Sequence, residues 1–154
     1  MDIKVNTNIS KEFNDAIIKV EVTAPEITED IQKFLNSISQ IAKKKEEIVA
    51  TKNNEIFLLK SKNVFYFYSD GKNNFAKTND GIYKIKERLY ELEENLDKKK
   101  FIRISNSCII NIDQTKCFDV SQIGSLFAKM EDDTKQEVSK RKIKDVMNFL
   151  NERK

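Results

Sequence analysis

From Glu55 onward the chain is cut into short apolar runs of four to six residues. They are Ile56–Lys60, Val64–Ser69, Phe75–Thr78, Phe101–Ile104, Cys108–Ile112, Thr115–Val120, Ser125–Met130 and Thr134–Val138. Turn-forming residues separate them: Asp70-Gly71-Lys72-Asn73-Asn74, Ser105-Asn106, Asp113-Gln114, Ile123-Gly124 and Glu131-Asp132-Asp133. Runs of this length, rich in Phe, Tyr, Ile and Val and bounded by such residues, predict strands joined by tight turns. Two helices break the series. One is expected over 81–96, where Ile82, Ile85, Leu89, Leu92 and Leu96 form a stripe and Asn79 or Asp80 can cap it. The other is expected over 142–152, with Ile143, Val146, Met147 and Leu150 on one face. The fold class is therefore α+β, and mostly β.

Residues 1–50 have a different texture. Segments 2–9 and 16–23 read as strands, the second alternating Ile18, Val20 and Val22 with Lys19 and Glu21. Asn14-Asp15 supplies a turn between them. After Pro25, Thr28 is an N-cap candidate for a helix carrying Ile31, Phe34, Leu35, Ile38 and Ile41, with Lys43-Lys44-Lys45 near its end. The expected organisation is a small β-β-α unit over 1–50 followed by a domain over 51–154. A unit that small buries its apolar helix face poorly alone. It is thus a candidate dimerisation or regulatory surface.

Charge divides the same way. Residues 1–50 hold 7 Lys/Arg against 9 Asp/Glu, whereas 51–154 hold 21 against 16. The larger part is the better partner for a polyanion, although a Lys-rich solvated surface gives the same count. No apolar run approaches the roughly 20 residues of a membrane span. No signal-peptide core is visible at Met1-Asp2-Ile3-Lys4-Val5, so a cytoplasmic location is expected.

Side-chain chemistry argues against catalysis. The chain has no His, which removes His-based general bases, nucleophile pairs and metal ligands. It has no Gly-rich phosphate loop, and no cofactor or metal is expected. Cys108 and Cys117 lie in apolar stretches, where a thiol is usually packed and inert; a redox role stays open. Three polar loops remain, around Lys72-Asn73-Asn74, Ser105-Asn106-Ser107 and Ser139-Lys140-Arg141-Lys142. In the third, Ser139 can cap the final helix, and three cations sit where the helix dipole disfavours them by some tenths of a kcal/mol each. An anion bound there reverses that cost. A solvated basic turn is the equal alternative on these residues alone.

The run Phe101-Ile-Arg-Ile-Ser-Asn-Ser-Cys-Ile-Ile-Asn-Ile-Asp113, followed later by Val138-Ser139-Lys140-Arg141-Lys142 and a helix, resembles the signature of the LytTR family of DNA-binding domains. The resemblance extends over about 55–151. It implies a mostly β fold of small stacked sheets whose edge loops enter DNA major grooves. By position it assigns Lys72, Asn73 and Asn74 to a first contact loop, Ser105 and Asn106 to a second, and Ser139, Lys140 and Arg141 to a third. Two departures stand out: many members have His-Arg at Ser105-Asn106 and Arg-Arg-Tyr at Lys140-Arg141-Lys142. Most members join this domain to a phosphorylated receiver, for which 1–50 is too short. The resemblance is therefore to the stand-alone regulator type, which binds paired direct repeats as a dimer and is often restrained by a small membrane protein. The expectation is a sequence-specific, double-stranded-DNA-binding transcription regulator. The alternative is a small β-rich protein-interaction module.

Overall fold

Thr28 starts the first described helix, α1 (Glu29–Ala42), its Oγ1 accepting from the Ile31 amide at 3.4 Å. A computed structural model describes residues 25–42 and 44–153. The expected strands at 2–9 and 16–23 lie outside the described residues. The chain divides into two compact units, Met1–Ser39 and Gln40–Lys154. Of the cations expected near the end of α1, Lys44 pairs with Asp97 at 3.3 Å and Lys45 with Glu87, while Lys43 lies outside the described residues.

The second unit holds ten strands: β1 (Glu47–Lys52), β2 (Glu55–Lys60), β3 (Val64–Asp70), β4 (Asn73–Thr78), β5 (Gly81–Ile85), β6 (Phe101–Ser105), β7 (Cys108–Asn111), β8 (Thr115–Asp119), β9 (Leu126–Met130) and β10 (Lys135–Val138). Two further helices are α2 (Leu89–Asn95) and α3 (Ile143–Glu152). A seven-stranded antiparallel sheet has the order β2-β1-β5-β4-β3-β7-β6, and a three-stranded one the order β10-β9-β8. The expected boundary at residue 50 falls inside β1, whose Ile48 and Ala50 are buried.

Strands β3 and β7 feed two cores at once. Phe67 and Ile109 join Ile48, Ala76, Tyr83 and Leu92 on one face. Tyr66, Cys108 and Ile110 join Leu126, Met130 and Val146 on the other, under the second sheet and α3. A strand buried on both faces needs apolar residues at successive positions rather than alternation. That is why Val64-Phe65-Tyr66-Phe67 and Cys108-Ile109-Ile110 are continuous apolar runs, all of them buried. Asn111, 1% exposed, ends β7. Its amide donates to the carbonyls of Val64 (2.9 Å) and Lys62 (3.3 Å), and its oxygen accepts from the Asp113 amide at 3.1 Å.

One expectation is corrected. The helix over 81–96 is a strand followed by a shorter helix. Within β5, Tyr83 and Ile85 are buried while Ile82 and Lys84 are exposed, a period of two. The steps from Ile82 to Ile85 to Leu89 imitate helical spacing, yet only Leu89, Leu92 and Leu96 pack from the helix end. The ladders settle the matter: Gly81–Ile85 pairs with Asn74–Thr78 of β4, Lys84 and Ile85 pair with Thr51 and Ala50 of β1, and Gly81 takes φ +134° at the turn. The cap foreseen at Asn79 or Asp80 is instead a turn, in which the Asp80 amide donates to Thr78 Oγ1 at 3.2 Å.

Candidate nucleic-acid interface

The β3–β4 hairpin closes through a two-residue turn, Gly71-Lys72, between the paired Asp70 and Asn73. Gly71 takes φ +61°, the left-handed conformation such a turn requires first. Lys72 and Asn73 are exposed at the tip. Asn74 is half-buried, and its amide donates to the Glu87 carbonyl at 3.0 Å. That bond ties the hairpin to the β5–α2 connection.

The β6–β7 turn is built by its own serines and by one arginine. Ser105 Oγ accepts from the Ser107 amide at 3.2 Å, a side-chain turn that exposes Asn106. A register shift between Arg103 and Ser105 breaks the β6–β7 ladder and lets Ile104 bury completely. Arg103 lies half-buried beneath the turn. Its guanidinium donates to the carbonyls of Ser105 (3.0 Å) and Asn106 (2.6 Å) and to the Glu93 carboxylate (3.0 Å). Sequence reading missed this role, although an arginine inside the apolar run Phe101–Ile104 is the signal that could have found it.

The third loop is a 3-10 turn, Lys140–Lys142, leading into α3. Ser139 does not cap it with its side chain. Its Oγ is buried without a partner among the described residues. The backbone does the work instead: the Ser139 amide donates to the Ile104 carbonyl, and the Lys142 amide donates to the Ser139 carbonyl, both at 2.8 Å. Met147, expected on the packed face of α3, is 43% exposed, while Val146 is buried.

Hydrogen bonds join the three loops at one end of the seven-stranded sheet. The Ser69 amide donates to the Ser107 carbonyl at 3.0 Å, linking the first loop to the second. Arg141 Nη2 donates to Asn106 Oδ1 at 3.2 Å, linking the third to the second. Lys72, Lys140 and Arg141 are exposed, and none pairs with a described carboxylate. Thus Lys72, Asn73 and Lys140 are exposed on one surface with Asn106 and Arg141, which bond to each other. Asn74, Ser105 and Ser139 are held by the frame.

Burial pushes the Cys108 thiol up to about 12 and raises the phenols of Tyr66 and Tyr68. Cys117, expected in the core, is exposed on β8. A cleft of about 390 Å³ lies at the start of β6, lined by Lys44, Lys45, Lys60, Lys62, Lys100 and Asp97 among others. Burial raises the Asp97 carboxyl, but the Lys99 amide and the Lys44 ammonium outweigh that and hold it below the usual range. No helix among the described residues is long and apolar enough to cross a membrane.

Comparison with known proteins gives one family. The model of the LytTr DNA-binding domain matches residues 54–151. An uncharacterized HTH-type transcriptional regulator of Staphylococcus aureus strain COL is 30% identical over 111 residues, 72% of this chain and 70% of its own. One from strain MSSA476 is 32% identical over 109 residues, 71% of each chain. A solved LytTr DNA-binding domain from Bacillus cereus superposes with a TM-score of 0.66 at 20% identity, covering 69% of this chain and 97% of that one. Successive α-helices here are separated by five strands each, β1–β5 and then β6–β10.

Proposed function

Because the chain belongs to the LytTR DNA-binding domain family, we propose that it is a sequence-specific transcription regulator that binds major grooves of direct-repeat sites through the three joined loops. The observation that carries this reading is the pair of bonds Ser69–Ser107 and Arg141–Asn106. They hold two base-reading side chain types, Arg and Asn, beside free lysines on a rigid sheet end. Arg141 suits guanine bidentately and Asn106 suits adenine. Lys72 and Lys140 suit phosphates. Ser139, Ser105 and Asn74 act through the backbone positions they set.

Titration of DNA against salt tests the reading. A DNA binder loses affinity steeply as salt rises, whereas a protein-interaction module shows little DNA affinity at any salt. Binding-site selection from random duplexes then gives the preferred sequence. Two single variants separate reading from positioning. Asn106→Ala is expected to relax preference at one or two base pairs. Lys72→Ala is expected to weaken all duplexes alike and to lower the salt slope by about 0.9. Identical patterns from both would remove the distinction.

The same reading carries a cytoplasmic location, two copies side by side on a duplex, and restraint by a small membrane protein. The first unit is the proposed self-association surface, supported by its acidic balance and the apolar positions of α1. Truncation should stop before Gln40, since removing 1–50 would take Ile48 and Ala50 out of the core. Deletion of 1–39 is expected to leave one-site binding measurable and to weaken dimers and two-site cooperativity. Sedimentation and titration on one-site and two-site duplexes check this. A truncated chain that still dimerises and binds cooperatively like the parent would remove the role.

A further inference from the structure

We infer that the connection Lys86-Glu87-Arg88, between β5 and α2, is a fourth DNA-contacting element that grips phosphates beside the β3–β4 tip. The inference rests on DNA binding by the three loops. The β4–β5 ladder pairs Phe75 with Lys84 and Asn74 with Ile85. One further step sets Lys86 beside Asn73, at the same end of the sheet as the tip. The Asn74 amide, donating to the Glu87 carbonyl at 3.0 Å, fixes the connection there.

Burial and charge both favour an anion at this place. Ile85 is buried, so strand alternation turns Lys86 to the outer face with Asn73 and Lys84. Lys86 and Arg88 are exposed, and neither pairs with a described carboxylate. The carboxylate between them does not cancel them, because Glu87 is taken by the Lys45 ammonium. Glu91 is turned to the start of α2, where it accepts from the Arg88 amide at 2.9 Å. Asp70, opposite Asn73, is a counter-charge at the tip.

Spacing identifies the part of the duplex. Strands lie about 4.8 Å apart, so β5 is roughly 17 Å along the sheet from the β6–β7 turn. A major groove is about 12 Å wide. With the second loop in the groove, Lys86 and Arg88 lie more than a groove width from it, past the base edges that it reads. Long, flexible cations there meet phosphates rather than base edges, which fixes register without reading sequence.

The test uses the full chain with Lys86→Ala and Arg88→Ala combined. Binding is measured against salt on a duplex recovered by selection and on a scrambled duplex of equal length. Near 0.1 M salt the double variant is expected to bind both duplexes about 10- to 100-fold more weakly, with a log–log salt slope shallower by about 1.8. The ratio between duplexes and the thermal unfolding midpoint should stay as in the parent, and Lys86→Arg with Arg88→Lys should keep binding. Parental affinity and slope in the double variant would overturn the fourth contact while leaving the three-loop reading intact. So would a loss confined to the selected duplex. A parent chain that binds neither duplex would overturn both.

Discussion

Arg141→Ala is expected to weaken binding to the selected duplex by about 1–3 kcal/mol, the size of a lost bidentate base contact. Binding to scrambled DNA should fall far less, by about one phosphate-scale charge effect. Stability should barely change, because the side chain is exposed and its hydrogen bond is to the exposed Asn106 amide. That bond also makes a second outcome specific. If Arg141 and Asn106 position each other, Arg141→Ala and Asn106→Ala will not add: the double variant will lose less than the sum of the singles. Equal affinity of parent and Arg141→Ala for the selected duplex would remove Arg141 from the interface. Strict additivity would leave both residues in place but deny the coupling.

How much of this was legible in the sequence depends on whether the deciding interaction was local. Nearly all strands from β2 onward could be read, because apolar runs and turn residues are neighbours in the chain. The β5–α2 segment could not. Its stripe from Ile82 to Leu96 satisfies helical spacing, and what makes 81–85 a strand is its pairing with β4 and with β1, the latter distant in sequence. Strand β1 was hidden for a similar reason: Ile48 and Ala50 are two small signals, and their burial depends on partners such as Phe67 and Leu92. At the candidate interface, the loops were legible but their internal division was not. Asn74 looks like a base reader until its amide is seen to hold Glu87, and Ser139 looks like a cap until its oxygen is seen to be buried. Cys117 reads as core from its apolar neighbours, but β8 is an edge strand of the smaller sheet and leaves the thiol exposed.

Arg103→Met should damage recognition without touching a residue that meets DNA. The guanidinium makes two bonds to consecutive carbonyls of the β6–β7 turn and one to Glu93, with the side chain only 19% exposed. Methionine keeps much of the length and apolar stem but supplies no donor. Charge-assisted bonds of this kind are worth about 1.5–3 kcal/mol each when buried. The turn faces solvent, so water will replace part of that, and a loss of about 2–3 kcal/mol in folding stability is expected. The recognition effect is separate. Without the clamp, the Asn106 carbonyl is unpinned, and both its side chain and its bond to Arg141 lose a fixed position. Affinity for the selected duplex should fall at least as far as in Asn106→Ala, while affinity for scrambled DNA falls much less, since Lys72 and Lys140 keep their places. Arg103→Lys should not restore it, because one ammonium cannot reproduce the planar fork that spans Ser105, Asn106 and Glu93. The measurements are denaturant unfolding and paired duplex titrations on the same preparations. Parental discrimination in Arg103→Met would mean that the serine bonds alone hold the turn. Loss in equal proportion on both duplexes would mean that Arg103 contributes charge to the surface rather than shape to the loop.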